Sequence, residues 1–503
     1  MIHKDRGDYV PFRPTRPARF RPILTTVLLI IALVVLWVSI EVYFALTAAP
    51  NPVIDYGEQL EELVAESQAG REGEDVWPVL MEVLELVQSA ESDAIGADPV
   101  YAEKVISTDY NTIYNYDFEL EFLEENSYSY AEDRENLDLQ RKLSLEVLGR
   151  FEEVGIFSRL DEIAASGVGV MPLPDSRDEM LIGILMPTLG QQRNVAKALR
   201  ARMFLAAEEG DWDAYTESFE YILAIGRLSG EQAFLIQRLV GIAIRTLAVR
   251  AAIDDLSLGR LDDSALQGLA EALERQGPMV PVEYAFRSEL LWELDAVQWV
   301  HTKRGRLILS EVDQLDWGNA SRPKIVNVAS IVFPRQAETE QWFRDFHEVG
   351  IARSRLTPAE RRQQPLDPQW DDFGWRQHLQ AMLVPALGSM MRADDQVRLN
   401  ELGLRVLLAI EQHRADHGAL PEELASLVPD YLDEIPLDMH ALGEVPLGYL
   451  VLEHSDEQGR DYLLYSVGAD GEDNEGQPHE SNRMGALLSG APGTDYVINQ
   501  QSD

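Results

Sequence analysis

One apolar run near the N-terminus constrains this chain more than any other feature. Residues Ile23 to Ile40 (ILTTVLLIIALVVLWVSI) carry no charge, and the run resumes after Glu41 as VYFAL. That is about the 20 residues a helix needs to cross a ~30 Å hydrocarbon core. Before it lie Lys4, Arg6, Arg13, Arg16, Arg19 and Arg21 against Asp5 and Asp8, a net charge of +4, while the whole chain stands at −43. Basic flanks stay in the cytoplasm, so the expectation is an N-terminus inside and an acidic bulk outside, across a bacterial inner membrane. A cleaved signal peptide is the competing reading, with TAAP at 47–50 supplying small residues. The run exceeds the usual 7–15 residue core of such a peptide, which favours an uncleaved signal anchor. The next most apolar stretch, 234–253, is broken by Arg238, Arg245 and Arg250 and reads as a buried soluble helix.

Roughly 460 residues follow the anchor, and none of the 503 is cysteine. Disulfide staples, thiolate zinc sites and cysteine nucleophiles are therefore excluded together, and packing must hold the fold. The acidic excess, 86 Asp and Glu against 43 Lys and Arg, is spread along the chain. Such a field repels nucleic acid and anionic lipid headgroups and attracts cations or basic partners.

From about 54 to 391 the apolar period is three to four residues, which predicts helices. One stripe carries Leu60, Leu63 and Val64, and another Val76, Leu80, Val83, Leu84 and Val87 with Pro78 in its first turn. A helix over 194–209 stops at Gly210, and Asp211 or Asp213 caps the next, which ends at Gly230. The segment 231–256 is apolar on nearly every side, as befits the centre of a bundle. Gly259 closes it, and Asp262 or Asp263 opens a helix running to Arg275. Segments 281–302 and 337–354 also read as helical, 168–178 and 356–374 as loops, and 305–333 has no clear pattern. No repeat of fixed period appears, so the expectation is an irregular bundle.

The texture changes near Ala393. A helix with Leu399, Leu402, Val406, Ile410, His413 and His417 on one face ends at Gly418, and two runs, PLGYLVLEH and DYLLYSVG, suggest an antiparallel hairpin. Asp416, Gly418, Leu420 and Pro421, then LVPDYLDEIPLDM (427–439) and YSVGADG (465–471), resemble the globular head of type II secretion pseudopilins. The resemblance implies a small α+β head, a calcium site in the loop after the last strand, and an association with secretion. The chain departs from that family in two ways. Its membrane segment lies some 350 residues upstream of the corresponding helix, and Met439 stands where the family has proline. The layout as a whole is also similar to single-pass envelope proteins of planctomycete-type bacteria, a resemblance that brings no activity. The expected organisation is thus mainly α: a cytoplasmic segment 1–22, an anchor 23–46, a helical domain 51–391, a pseudopilin-like head 393–482 and a flexible tail 483–503.

Chemistry-bearing motifs are few. Asp470, Glu472, Asp473 and Asn474, with Glu475 beside them, gather oxygen ligands in a tight Gly-containing loop and are the candidate calcium ligands, though the spacing is not that of an EF-hand. His413 and His417 have the i, i+4 spacing of a zincin, but Arg-Ala-Asp lies between them and the general-base Glu is missing. The chain has no G-x-S-x-G, no phosphate-binding G-x-x-x-x-G-K-[ST] and no G-x-G-x-x-G. Arg238, Arg245 and Arg250 must be paired if buried, by internal carboxylates or by an anion held in the bundle. These readings point to a non-enzymatic envelope scaffold or interaction protein with protein partners. The alternative is an envelope hydrolase with a carboxylate pair in an unrecognised cleft.

Overall fold

The structure, a computed structural model, describes residues 20–97, 130–184, 186, 188–315, 323–364, 374–384, 387–456, 458–478 and 493–500. The basic flank before Phe20, on which the expected orientation rests, lies outside them. Among the described residues the fold is mainly helical, with fifteen α-helices and one small three-stranded antiparallel sheet. The helices are α1 (Phe20–Leu46), α2 (Tyr56–Ser67), α3 (Trp77–Ala97), α4 (Tyr130–Glu153), α5 (Ile156–Ala165), α6 (Thr188–Glu209), α7 (Trp212–Gly230), α8 (Leu235–Ser257), α9 (Asp263–Gln276), α10 (Glu283–Trp299), α11 (Leu309–Leu315), α12 (Gln336–Ser354), α13 (Pro358–Arg361), α14 (His378–Leu383) and α15 (Leu387–His417).

The described residues fall into two compact units. One holds α1 and the chain to Asn51, together with the described residues between Gln298 and Ala337; the other holds the rest. In the first, Thr25–Leu46 of α1 is long and apolar enough to span a membrane, with a mean hydropathy of 2.7. The unassigned segment 305–333 contributes α11 and a 3-10 helix, Lys324–Val332, that packs against α1. Asn327, buried, fixes that contact: its Nδ2 donates to the Ala45 carbonyl (3.2 Å), and its Oδ1 accepts from the Ser310 amide (3.0 Å).

In the second unit, α7 and α8 pack closely, flanked by α6, α9 and α15. Their caps are those the turn chemistry requires. Asp211 Oδ1 accepts from the Ala214 amide and Asp262 Oδ1 from the Ala265 amide, so of the paired candidates at each start the first residue is the cap. Gly210 and Gly259 sit at φ +71° and +63°, where a side chain would be strained. Helix α8 is buried on nearly every side, as its apolar sequence demands. The close approach of α7 and α8 depends on glycine: a Cβ on Gly241 would lie 2.4 Å from the Gly226 carbonyl oxygen and 2.4 Å from the Gly230 Cα.

The C-terminal region is built into this core. Helix α15 runs unbroken through the expected boundary at 391–393, and Leu399, Leu404, Leu407, Ile410, Leu464 and Ile498 share one hydrophobic cluster with Leu80, Phe219, Ile244 and Leu269. Strands β1 (Gly448–Val451), β2 (Tyr462–Ser466) and β3 (Tyr496–Val497) form the antiparallel sheet in that order. The first two are the expected hairpin. The third departs from the expected flexible tail at 493–500, the part of 483–503 that is described: Val497 and Ile498 are buried, and burying apolar side chains against α15 outweighs the polarity of their neighbours.

Candidate functional site

The three arginines of α8 have internal partners. Arg238 donates to Asp394 on α15 (Nε–Oδ1 3.1 Å, with a second, shorter contact from Nη2), and Asp394 also meets Arg398 at 2.8 Å. One heptad on, Arg245 donates to Glu401 (2.6 Å) and to the carbonyls of Gly277 (2.8 Å) and Leu223 (3.4 Å). Both ion pairs join residues 156 apart in sequence, so α8 and α15 run parallel in fixed register. Arg250 then donates to the carbonyls of Ile498 (3.1 Å) and Gln500 (2.7 Å), tying down the end of the chain. The guanidiniums are spent on protein acceptors, which is what an otherwise apolar helix requires of buried charge.

The acidic loop is ordered by its own hydrogen bonds. Asp470 accepts from the amides of Glu472 (3.0 Å) and Gly493 (2.8 Å), and Asp473 from the Glu475 amide (2.9 Å) and the Tyr465 hydroxyl (3.2 Å). The Asn474 side chain donates back to the Glu472 carbonyl (2.8 Å). The loop's centre is Asp495, a residue that the sequence reading had placed in the tail. It is buried and accepts from the amides of Asn474 (3.0 Å) and Gly476 (2.7 Å). Burial raises its carboxyl, and the two amides work against that rise. Among the described residues no three Asp, Glu or His side chains converge as a metal site.

The quoted motif segments do meet. Asp438 of LVPDYLDEIPLDM is buried and accepts from Ser466 Oγ (2.7 Å) and the Val467 amide (2.8 Å) of YSVGADG. Asp416 accepts from the Tyr431 hydroxyl (2.8 Å). His413 and His417 stack ring on ring with centroids 4.3 Å apart, and each turns its Nδ1 to a backbone carbonyl, of Ala419 and His413 respectively. This is packing against Tyr431 at the end of α15, with no third ligand.

A buried cluster of titratable groups lies elsewhere. Glu289 and Glu293, one turn apart on α10, face His347 on α12, and His347 Nε2 lies 2.7 Å from Glu293 Oε2. Burial pushes the Glu293 carboxyl far up; burial and then the neighbouring Glu293 raise Glu289 to about 8; burial lowers His347 to about 4. Among the described residues Glu293 Oε1 has no hydrogen-bond partner. Phe286 and Phe346 pack their rings edge-on to the imidazole. Two carboxyls and an imidazole could exchange a proton among themselves, but Glu293 and His347 have no exposed surface for a substrate to touch. The i, i+4 glutamates were visible in the sequence as SELLWEL; nothing there linked them to a histidine 54 residues on. No family model, curated protein or solved structure matches the chain.

Proposed function

We propose that this protein is a non-enzymatic, membrane-anchored scaffold or interaction protein of the bacterial envelope, with its N-terminus cytoplasmic and its bulk outside. The observation that carries this reading is where the reactive groups lie: the convergent carboxyls with raised proton affinity, Glu289 and Glu293, are enclosed with His347 inside the helical unit. A hydrolase would need such a pair in an open cleft. Retention of the anchor is supported by the last turn of α1. Ala45 and Ala48 are buried there, and Glu41 is paired with Arg306, so cleavage at 47–50 would strip a packed unit of its central helix. The motif pieces tied by Asp438 support a pseudopilin-like arrangement in the C-terminal region and, through it, a secretion association.

The test is crosslinking of the full chain in intact membranes at native abundance, with protease added from the extracytoplasmic side. The expected result is digestion of the bulk from outside and a discrete crosslinked adduct that Glu293→Gln leaves unchanged. A chain shielded from external protease, or recovered only without adduct, would overturn the proposal.

A further inference from the structure

The exposed apolar surface of α1 becomes one-sided after Ile40, where Glu41 and Ala45 are buried while Tyr43 and Leu46 stay exposed. Residues 25–40 are exposed, Ile40 at 41%, and the next residue, Glu41, is at 8%. From Phe20 to Ile40 the helix rises about 31 Å, the thickness of a bilayer's hydrocarbon core. Beyond Ile40 the rest of α1 is covered by protein on one side only, at Glu41 and Ala45, which puts the last turn of the span next to the headgroups.

Two features meet there, both within the first unit. The turn His301–Leu307 (HTKRGRL) folds back on itself through Thr302 and Arg306 (amide to carbonyl 2.9 Å), with Gly305 at φ +69°. It presents Lys303 and Arg304 to solvent, and the Arg304 guanidinium carbon sits 4.4 Å from the Phe44 ring centroid. Between this turn and the end of α1 opens a cleft of about 510 Å³. Its wall carries four cations, Lys303, Arg304, Arg306 and Arg335, and no carboxylate, in a chain with twice as many acidic as basic residues. Arg306 is committed to Glu41; Lys303, Arg304 and Arg335 remain exposed. Beside the cleft, the 3-10 helix Lys324–Val332 packs on α1 yet leaves Ile325, Ile331 and Val332 exposed, an apolar face with no protein covering it among the described residues.

We infer that this cleft binds the phosphate of an anionic phospholipid headgroup in the leaflet at the C-terminal end of α1, with Ile325, Ile331 and Val332 seated in that leaflet. The occupant follows from position and charge. Phe44, Ala45 and Thr47 of the spanning helix form part of the cleft wall, so the headgroups of the host bilayer are the anions nearest to it. Exposed isoleucine and valine beside a spanning helix fit acyl chains rather than water. The inference rests on the anchored reading above and assigns that anchor a lipid preference.

The test uses the full chain in neutral detergent, offered short-chain phosphatidylglycerol or phosphatidylcholine and examined by native mass spectrometry. Wild type is expected to retain phosphatidylglycerol selectively. Lys303→Gln/Arg304→Gln/Arg335→Gln should weaken that retention by about fivefold per charge removed. The single exposed change Lys303→Glu, with circular dichroism to show an intact helical fold, repeats the test at minimal structural risk. Equal retention of both lipids, or unchanged retention in a folded variant, overturns the inference. Displacement by low-millimolar inorganic phosphate with no preference between lipids overturns it in favour of a free-phosphate site. Alkaline carbonate extraction reports separately on the anchor: release of the chain overturns both readings, whereas retention without lipid preference overturns the cleft alone.

Discussion

Removing Asp394 should be among the most damaging single changes in the helical unit. Its carboxylate meets Arg238, whose side chain is 3% exposed, and Arg398, which is 40% exposed. In Asp394→Leu the Arg238 guanidinium stays buried without its counter-charge, a loss of about 3–5 kcal/mol. Arg398 reaches solvent and adds at most ~0.5 kcal/mol. Replacing both partners, Arg238→Met/Asp394→Leu, removes the stranded charge together with its partner, and apolar side chains of similar volume fill the seam between α8 and α15. That double variant should lie within roughly 1–2 kcal/mol of wild type. The single losses of Asp394→Leu and Arg238→Met then fail to add by several kcal/mol. Glu401→Gln one heptad on should cost less, about 1–2 kcal/mol, because Arg245 keeps the Gly277 and Leu223 carbonyls. Urea unfolding of the purified chain, followed by tryptophan fluorescence, measures all four. Additive single losses, or Glu401→Gln more damaging than Asp394→Leu, would refute the argument that burial and lack of alternative acceptors set the cost.

Three further outcomes follow from particular contacts. Gly241→Ala places its methyl against backbone atoms of Gly226 and Gly230 that no rotamer change can move, so urea midpoints should show a loss of about 2 kcal/mol or more despite a ~1 kcal/mol gain in helix propensity; Gly149→Ala, in open space on α4, should gain about 0.5–1 kcal/mol. Glu289 and Glu293 bind protons more tightly folded than unfolded, so their stabilisation is complete below about pH 4.3 and is lost as pH rises through the folded values, near 8 for Glu289. His347 opposes this only between about 4 and 6.5, and Glu293→Gln should flatten the fall of stability with rising pH, read from midpoints across pH. Calorimetric titration with calcium should give no binding heat, since Asp470 and Asp473 already accept from the amides of Glu472, Gly493 and Glu475 and from the Tyr465 hydroxyl; micromolar heat abolished by Asp473→Ala would refute that.

Local chemistry was legible in the sequence; long-range pairing was not. Asp211, Asp262, Gly210 and Gly259 act within one turn of where they stand, so their roles follow from backbone geometry alone. The hairpin of β1 and β2 was equally local. The need for partners at Arg238 and Arg245 was readable from an apolar helix, but their identity depended on α15 docking parallel to α8, across 156 residues. Burial of Asp495 and Ile498 was not legible because the apolar run in GTDYVINQ is only three residues, Tyr496–Ile498, set among polar ones; the sheet edge and α15 supply the reason. The segment KIVNVASIVF lies in the stretch 305–333, which has no clear pattern in the sequence despite its β-branched content. It forms a 3-10 helix, because Asn327 bonds α1 and α11 at once and the exposed isoleucines and valine are left pointing outward.

Ionic strength separates the two forces assigned to the membrane-proximal cleft. Lys303, Arg304 and Arg335 are exposed, so their attraction for a headgroup phosphate is screened within a Debye length of about 8 Å at 0.15 M salt and about 3 Å at 1 M. Burial of Ile325, Ile331 and Val332 among acyl chains is not screened, and sulfate salts strengthen it. Selective retention of phosphatidylglycerol should therefore fade between 0.15 and 1 M sodium chloride, while association of the chain with liposomes of either lipid persists. The acidic remainder of the chain disfavours an anionic leaflet at low salt, and the basic flank before Ile23 is common to wild type and variant, so the difference between the two reports the cleft. Selectivity that survives 1 M salt would mean that shape, rather than charge, recognises the headgroup, and the cationic wall would lose its role.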